Sequence, residues 1–393
     1  MAADLVSSVW SIHSVNNHPT ISSDICNTLL LGRLALKLVE RSGSLQYKSS
    51  VICFTYDKIL WASEPFQLIV EAHLLGHKSG QQSGDNIFAI HNLLLAILTD
   101  YVTGQSLVAI EKNILDFISK LEAQGLRIFF KHPILLLSQV MVLRQGMSMS
   151  GVTHVKNQPN EVEILADASL GPSVLAYGKL HQLTRAFLLR QMDGVSCHFN
   201  TLEAVSNHQL NPHNLMSYFF EGLASFQLAR QTSDDESAKW IERGQSVLAK
   251  MRSWSEHSSW NWANKVLLLE AESTFTSGDF DNAGPLYDSA IRSAHEHKFI
   301  HEEAIASQLA GMFYYEIGFH QKSYSCLLHS VDCYEIWGAH AVARSVEALM
   351  GEEFGDDIEL VSGEDTSLEY ISILGSQKKR RGGGLMLLSN KSW

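Results

Sequence analysis

Apolar residues recur at intervals of three and four along most of the chain. The clearest stripe lies within residues 106–124 and consists of Leu107, Ile110, Ile114, Phe117, Ile118 and Leu121. This spacing places the apolar side chains on one face of a helix, because a helix has 3.6 residues per turn. The same pattern predicts further helices over residues 25–39, 65–75, 85–101, 174–192, 215–230, 237–251, 260–276, 281–297, 301–317 and 321–337.

The alternation of apolar and polar residues that marks a half-buried strand is almost absent. Residues 46–55 are the one segment whose pattern is compatible with either a strand or a helix. The chain has 7 prolines in 393 residues, so few positions interrupt a helix. We therefore predict an all-α fold.

Two stretches near the end of the chain repeat the same order of small and large residues at an offset of 40 positions. The matched pairs are Ala271/Gly311, Phe275/Tyr315, Gly278/Gly318, Ala283/Ser323, Tyr287/Leu327, Ala290/Ser330 and Ile291/Val331. Stacked two-helix units produce this kind of echo because each unit buries the same face against its neighbour. The small residues are expected where paired helices approach closely, and Gly278 and Gly318 where a helix ends in the left-handed conformation.

Within each copy, the order of small and large residues resembles the tetratricopeptide repeat. The aromatic residue of that repeat is present as Tyr314 in the second copy but is Thr274 in the first, and the period is longer by about six residues. The resemblance implies a tetratricopeptide-like α-solenoid of antiparallel helix pairs. The residues expected to pack the repeats are Ala271, Gly278, Ala283, Tyr287, Ala290, Gly311, Tyr314, Gly318, Ser323, Leu327 and Ser330.

A weaker copy of the same order lies earlier in the chain. It consists of Gly84, Asp85, Ala89, Leu93 and Ala96. His77 stands in the preceding helix where a small residue is expected, so the register of this copy is open.

Breaks in the helical pattern divide the chain into four parts. Residues 1–146 form a front helical-repeat array, and residues 147–173, which contain glycine, proline and a local acidic cluster, form a loop or linker. Residues 174–351 form a back array that contains the echo. Residues 352–393 are first acidic and then basic, a composition that predicts a disordered tail. The basic run from Lys378 to Arg381 is open to a second interpretation as a nuclear localisation signal.

The charge balance narrows the class of partner. The net charge is -12, whereas nucleic-acid binding needs clustered Lys and Arg to displace counterions from phosphates. No run of 18 apolar residues is present to span a membrane. We therefore expect a protein partner, without nucleic acid, membrane or cofactor, and the oligomeric state stays open.

The five cysteines are too scattered for a disulfide framework or a metal knuckle. They are Cys26, Cys53, Cys197, Cys326 and Cys333. An odd count favours reduced thiols. The first residues, MAADLVSSVWSIHS, lack the features of a signal peptide. Together these features predict a cytoplasmic location.

Motifs for catalysis are missing from the sequence. Residues 76–83, GHKSGQQS, are glycine-rich but lack the lysine that a phosphate-binding loop requires. The kinase motifs HRD and DFG and the hydrolase motif GxSxG do not occur. We therefore expect that the chain is not an enzyme.

Histidine is abundant, with 18 copies. His73 and His77 are four residues apart, as are His297 and His301, so each pair is able to share one helical face as two metal ligands. A metal site also needs a third ligand and a group that orients each ring. Glu302 and Glu303 lie near His301 in the sequence, but the motif HExxH is absent, so we predict no metal site.

Four tryptophans form the densest aromatic content in the chain: Trp254, Trp260, Trp262 and Trp337. One interpretation is an aromatic anchor for a protein partner, since tryptophan is enriched at interface hot spots. The other is that these rings pack the core of the repeats.

Residues 264–339 carry matches to a known family. These are Asn264 and Lys265 ahead of Leu-Leu-Glu-Ala-Glu, the pair Glu302 and Glu303 ahead of Ala304, and the run from Tyr334 to Ala339. With them the stretch resembles the helical-repeat region of very large predicted AAA-type ATPases. Those proteins also carry a serine/threonine-kinase-like domain, a GAF domain and a sensor histidine kinase. The resemblance implies fold and signalling context but no activity, because the catalytic motifs are missing.

Two functions follow as expectations. The first is a non-catalytic scaffold for protein interaction or signal coupling, as a fragment or paralogue of such a signalling protein. The alternative is an effector-binding regulatory arm of an ATPase-plus-repeat transcription regulator, with a pocket lined by Trp254 and Trp262.

Overall fold

The protein is described by a computed structural model over residues 25–43, 45–126, 129–146, 159–167, 169–191 and 212–355, together with residue 195. Within these ranges the regular secondary structure is helical, which confirms the predicted all-α class. The α-helices are α1 (Ile25–Ser42), α2 (Lys48–Lys58), α3 (Phe66–Ser83), α4 (Asn86–Val102), α5 (Leu107–Gln124), α6 (Lys131–Gln145), α7 (Glu161–Ala166), α8 (Pro172–Leu188), α9 (Pro212–Gln231), α10 (Asp234–Ser255), α11 (Ser259–Thr276), α12 (Phe280–Glu296), α13 (Ile300–Glu316), α14 (His320–Trp337) and α15 (His340–Phe354).

Turns recur at nearly constant intervals in both halves of the chain. In the back half, positive φ angles occur at evenly spaced positions, namely Gly278, Lys298, Gly318 and Gly338. In the front half they occur at Gly84, Gly104, Gly125 and Gly146. A residue in this left-handed region stops a helix, and glycine adopts it without steric cost. Each copy of the echo is therefore built from two helix-and-turn segments of equal length.

Aspartates restart helices after two of these turns. The Asp85 carboxylate accepts a hydrogen bond from the Phe88 backbone N at 3.3 Å, and Asp279 accepts one from Asn282 N at 3.4 Å. These bonds satisfy amides that have no partner in the first turn of a helix. The Gly-Asp sequence thus acts as a stop followed by a start.

Consecutive helices pack against each other most extensively. The main pairs are α3 with α4, α9 with α10, α11 with α12 and α13 with α14. Among the described residues, those up to Leu349 form one compact unit, and those from Met350 to residue 355 belong to a second.

Inside the first unit, α3 also contacts α11, far along the chain. The Phe66 backbone N donates to Asn261 Oδ1 at 3.0 Å, and Asn261 Nδ2 donates to Glu64 O at 2.8 Å. The rings of Phe66 and Trp262 meet edge to face at 5.6 Å. The packing of the described helices therefore extends beyond sequence neighbours.

The structure corrects the alternative of a strand at residues 46–55. Lys48–Lys58 is helix α2, and its consecutive residues Val51, Ile52 and Cys53 are all buried. A helix that is covered on several sides loses the one-faced stripe on which periodicity depends. The same reason explains why periodicity does not predict α6, since residues 133–143 are buried without interruption.

Two boundaries also differ from the predicted division of the chain. The stretch 147–173, expected to be a loop, contains helix α7 and the first residues of α8. Asn160 forms a capping box with Glu163 that starts α7. Residues 352–354, expected in the tail, belong to α15, while the tail from residue 356 onwards lies outside the described residues.

Candidate functional site

The residues expected to pack the repeats lie inside the contacts between helices. Nine of them are buried: Ala271, Ala283, Tyr287, Ala290, Gly311, Tyr314, Ser323, Leu327 and Ser330. At Gly311, an added Cβ would lie 2.6 Å from Leu327 Cγ, closer than packed carbon atoms come. Ser323 Oγ also donates a 2.7 Å hydrogen bond to Gly311 O. A larger side chain at position 311 would therefore push α13 and α14 apart.

Gly278 and Gly318, the other two predicted residues, occupy the turns after α11 and α13. Both have φ of 82°, and no atom lies within 4 Å of a Cβ added at either one. Their role is conformational, since they end helices instead of filling a contact.

The earlier, weaker copy uses a related contact between α3 and α4. His77 Nδ1 lies 2.8 Å from Ala89 O, at a separation of 12 residues. Gly311 and Ser323 are joined at the same separation of 12. Each helix pair is thus joined by a contact between a polar side chain and a backbone carbonyl 12 residues apart.

A buried ion pair joins α11 to α13. Lys265 and Glu302 are 0% and 1% exposed, and Lys265 Nζ donates 2.7 Å hydrogen bonds to Glu302 Oε2 and to Asn261 O. Asn264 Nδ2 donates to the same carboxylate oxygen, while Lys265 Nζ lies 4.3 Å from the centroid of the Phe299 ring. Burial lowers the pKa of Lys265, and the adjacent carboxylate of Glu302 acts in the opposite direction. These charges hold helices together and are closed to a substrate.

A second cluster centres on Glu303, at the start of α13. His295 Nδ1 lies 3.1 Å from Glu303 Oε2, and His329 Nε2 lies 2.8 Å from Glu303 Oε1. Cys333 Sγ lies 3.6 Å from the same His329 nitrogen. Burial favours a raised pKa for Glu303, but contacts with the two imidazoles outweigh it and lower the pKa to about 2. Glu303 is therefore ionised at neutral pH.

A third buried contact joins α9, α11 and α12. Arg230 Nη2 donates a 2.7 Å hydrogen bond to Glu272 Oε2, and Tyr287 Oη donates a 2.5 Å hydrogen bond to Glu272 Oε1. Burial is the main cause of the raised pKa of Tyr287. Tyr287 therefore combines the large apolar ring of the repeat pattern with a fixed polar contact.

A small, mainly apolar cavity lies among helices α4, α8, α9, α13 and α14. Its polar lining includes Tyr101, His181 and His301, and Trp337 forms part of its wall. The space holds about two water molecules. Burial lowers the pKa of His301 to about 4, and His301 Nδ1 has no hydrogen-bond partner. His301 therefore contributes a neutral imidazole to the cavity wall, and its Nδ1 lies beside Gly104.

The structure corrects the interpretation of the tryptophans as a surface anchor. Trp254, Trp262 and Trp337 are buried, and the rings of Trp254 and Trp262 lie 5.4 Å apart. Burial of such rings is a large apolar contribution to folding. Trp260 is 36% exposed, and its Nε1 donates to Gln67 Oε1 at 3.1 Å. Three of the four rings thus pack the core, and the cavity is lined by Trp337 instead of Trp254 and Trp262.

The histidine pairs singled out by spacing contact separate partners. His73 Nδ1 lies 2.9 Å from Asn92 Oδ1, whereas His77 contacts the Ala89 carbonyl. The His297 ring lies 4.7 Å from the Trp260 ring, whereas His301 lines the cavity.

Among the described residues, the metal-ligating side chains that converge are Glu303, His329 and Cys333. The sequence contains one signal for this group, the spacing of four between His329 and Cys333. The position of Glu303 depends on how α13 packs against α14, which spacing along the chain does not define.

Comparison of the sequence with protein-family models gave no match, and comparison with curated proteins gave no significant match. In the part of the chain that the structure describes, none of the helices combines the length and the apolar character needed to cross a membrane.

Proposed function

We propose that the chain is a non-catalytic scaffold of tetratricopeptide-like, antiparallel helix pairs that binds another protein in intracellular signalling. The observation that carries this proposal is the location of the reactive residue types. Lys265, Glu302 and Glu272 are buried and bonded to neighbouring helices. These three side chains hold neighbouring helices together, and that role explains their presence without a catalytic one.

Exposed phenylalanines at two equivalent turns support a protein partner. Phe280 and Phe319 follow Gly278 and Gly318, and their exposed fractions are 48% and 60%. At the intervening turn, Phe299 is fully buried. Large apolar side chains exposed at alternate turns offer a partner two contact points along one edge of the repeats.

The residues that carry the family resemblance take part in the buried contacts between helices, and this supports the proposal. Four of the residues that carry it, Asn264, Lys265, Glu302 and Glu303, form the polar clusters between helices. Such clusters are sensitive to substitution because an unpaired buried charge is costly. We infer that this region shares its packing with the repeat region of the large signalling ATPases.

The test is capture of the partner by the full-length chain from cells in which it is naturally expressed. We expect Phe280→Ser with Phe319→Ser to lose a partner that the unmodified chain retains in stoichiometric amount. Leu30→Ser with Leu75→Ser is the control, because those side chains are 62% and 48% exposed and lie on other helices. Retention by both double variants, or absence of any stoichiometric partner, contradicts the proposal.

A second candidate function, an effector-binding regulatory arm, is favoured by the cavity at His301. A ligand of about two or three heavy atoms, matching the space of about two water molecules, would meet apolar walls there beside the neutral imidazole of His301. We expect such a ligand to raise the melting temperature of the full chain. The increase should be smaller for Tyr101→Phe, since Tyr101 lines the cavity, and an equal increase in both proteins argues against binding there.

A further inference from the structure

We propose that Glu303, His329 and Cys333 bind a zinc ion. This inference goes beyond the scaffold function and does not depend on it. One oxygen, one nitrogen and one sulfur from these side chains all lie within 4.8 Å of one another. His329 and Cys333 come from one face of α14, and Glu303 comes from α13, which packs against it.

The contacts distinguish a metal site from a catalytic triad. In a triad, the imidazole uses its two nitrogens for two different partners, the nucleophile and the acid. Here Glu303 Oε1 and Cys333 Sγ both approach Nε2 of His329, at 2.8 Å and 3.6 Å. The other nitrogen, Nδ1, is buried without a hydrogen-bond partner. Three donor atoms therefore converge on one point instead of forming a relay.

The donor types and spacings suit zinc. Zinc takes sulfur, nitrogen and oxygen ligands, and tetrahedral coordination places neighbouring donor atoms about 3.3–3.8 Å apart. The distance of 3.6 Å between Cys333 Sγ and His329 Nε2 lies in this range, whereas the distance of 2.8 Å between Glu303 Oε1 and His329 Nε2 is shorter, so binding requires these two side chains to move slightly apart. Cys333 binds as a thiolate and releases its proton to solvent. One thiolate, one carboxylate and a neutral imidazole then balance the two charges of zinc, which limits the cost of burial.

His295 supplies an outer contact to the carboxylate ligand Glu303, whereas Nδ1 of the His329 ring has no such partner among the described residues. His295 comes from α12, and its Nδ1 contacts the two oxygens of Glu303 at 3.1 and 3.2 Å. Groups of this kind orient a ligating carboxylate. The His295 side chain is 45% exposed, whereas Glu303 is 5% exposed, so the cluster lies next to the surface. We assign His295 as a positioning residue and leave the fourth coordination position to water.

The test is titration of the full chain, reduced and free of metal, with Co²⁺ and then Zn²⁺. We expect a thiolate-to-cobalt charge-transfer band that Zn²⁺ abolishes. Cys333→Ser should lose the band. Cys326→Ser should keep it, because Cys326 is equally buried on the same helix and is not part of the cluster. A band of the same strength in Cys333→Ser, or no band in the unmodified chain, overturns the proposal.

Two further measurements keep the test independent of folding defects. His295→Gln changes a half-exposed side chain, and we expect it to weaken Co²⁺ binding by about 10-fold or more while the charge-transfer band is retained at saturation. Zn²⁺ should raise the melting temperature of the unmodified chain and of Cys326→Ser. An equal rise in Cys333→Ser contradicts the assignment.

Discussion

The buried ion pair of Lys265 and Glu302 provides the sharpest test of how the helices are held together. Both side chains are within 1% of complete burial, and Nζ of Lys265 directs two donors at oxygens 2.7 Å away. Removal of one partner leaves the other as a buried charge without its counter-ion. We therefore expect Lys265→Met and Glu302→Gln each to lower the free energy of unfolding by about 3–5 kcal/mol.

The double variant should behave differently, because it contains neither charge. Methionine fills the space of the lysine stem, and glutamine keeps an acceptor for the Asn264 amide that now contacts Glu302. We expect the double variant to lose less stability than either single variant. The coupling energy of the two positions is then at least about 3 kcal/mol.

The assay is urea unfolding of the full chain, followed by far-UV circular dichroism and tryptophan fluorescence, with coincident transitions required. Arg252→Met is the matched control, since Arg252 pairs with Glu270 at 2.8 Å with its side chain 53% exposed. An exposed pair contributes about 0–1 kcal/mol. If a single variant does not fold but the double variant does, that result supports the same reasoning. Additive losses, or single losses as small as that of the control, refute it.

Two further predictions concern packing and pH. Gly311→Ala should cost about 1–3 kcal/mol, because the new Cβ would lie 2.6 Å from Leu327 Cγ. Gly351 is a helical position where an added Cβ would have no neighbouring atom within 4 Å. Gly351→Ala should therefore raise the free energy of unfolding by about 0.5–1 kcal/mol. The reasoning is contradicted if thermal unfolding shows that both glycine variants change stability in the same direction. Burial lowers the pKa of His73 below its ordinary value of 6.5, so the unfolded chain takes up the proton first and stability falls as pH drops below that value. His73→Gln retains a donor for Asn92 but cannot take up the proton. Measured by urea unfolding, its free energy of unfolding should depend on pH less steeply than that of the unmodified chain, by up to about 1.4 kcal/mol per pH unit. An unchanged pH dependence would refute this prediction.

Helix periodicity made much of the fold predictable. The helix and the turn that were not predicted are those that depart from the regular pattern. Residues 106–124 have one apolar face, and the structure has α5 from Leu107 to Gln124. Helix α6 is buried over 133–143 and has no polar face that would reveal its period. Lys298 adopts the left-handed turn without being glycine, so residue type gave no sign of it. Its position midway between Gly278 and Gly318 becomes meaningful once the even spacing of the turns is known.

The candidate sites were less predictable than the helices. Spacing identified histidine pairs four residues apart, but His73 and His77 contact different groups on α4. The three donors at Glu303 come from two helices, and the cavity at His301 is lined by five. Positions that are distant along the chain meet through the packing of helix faces, and one sequence contains no direct record of which faces meet.

The sequence alone determined the helical class and the turns at Gly278 and Gly318, because helix formation and termination depend on residues within a few positions of one another. Tertiary structure decided the rest. It buried Trp254, Trp262 and Trp337, joined α3 to α11, and brought Cys333 and His329 to Glu303. These outcomes depend on which helix faces exclude water together, and that choice is made over the whole compact unit and not within any local segment.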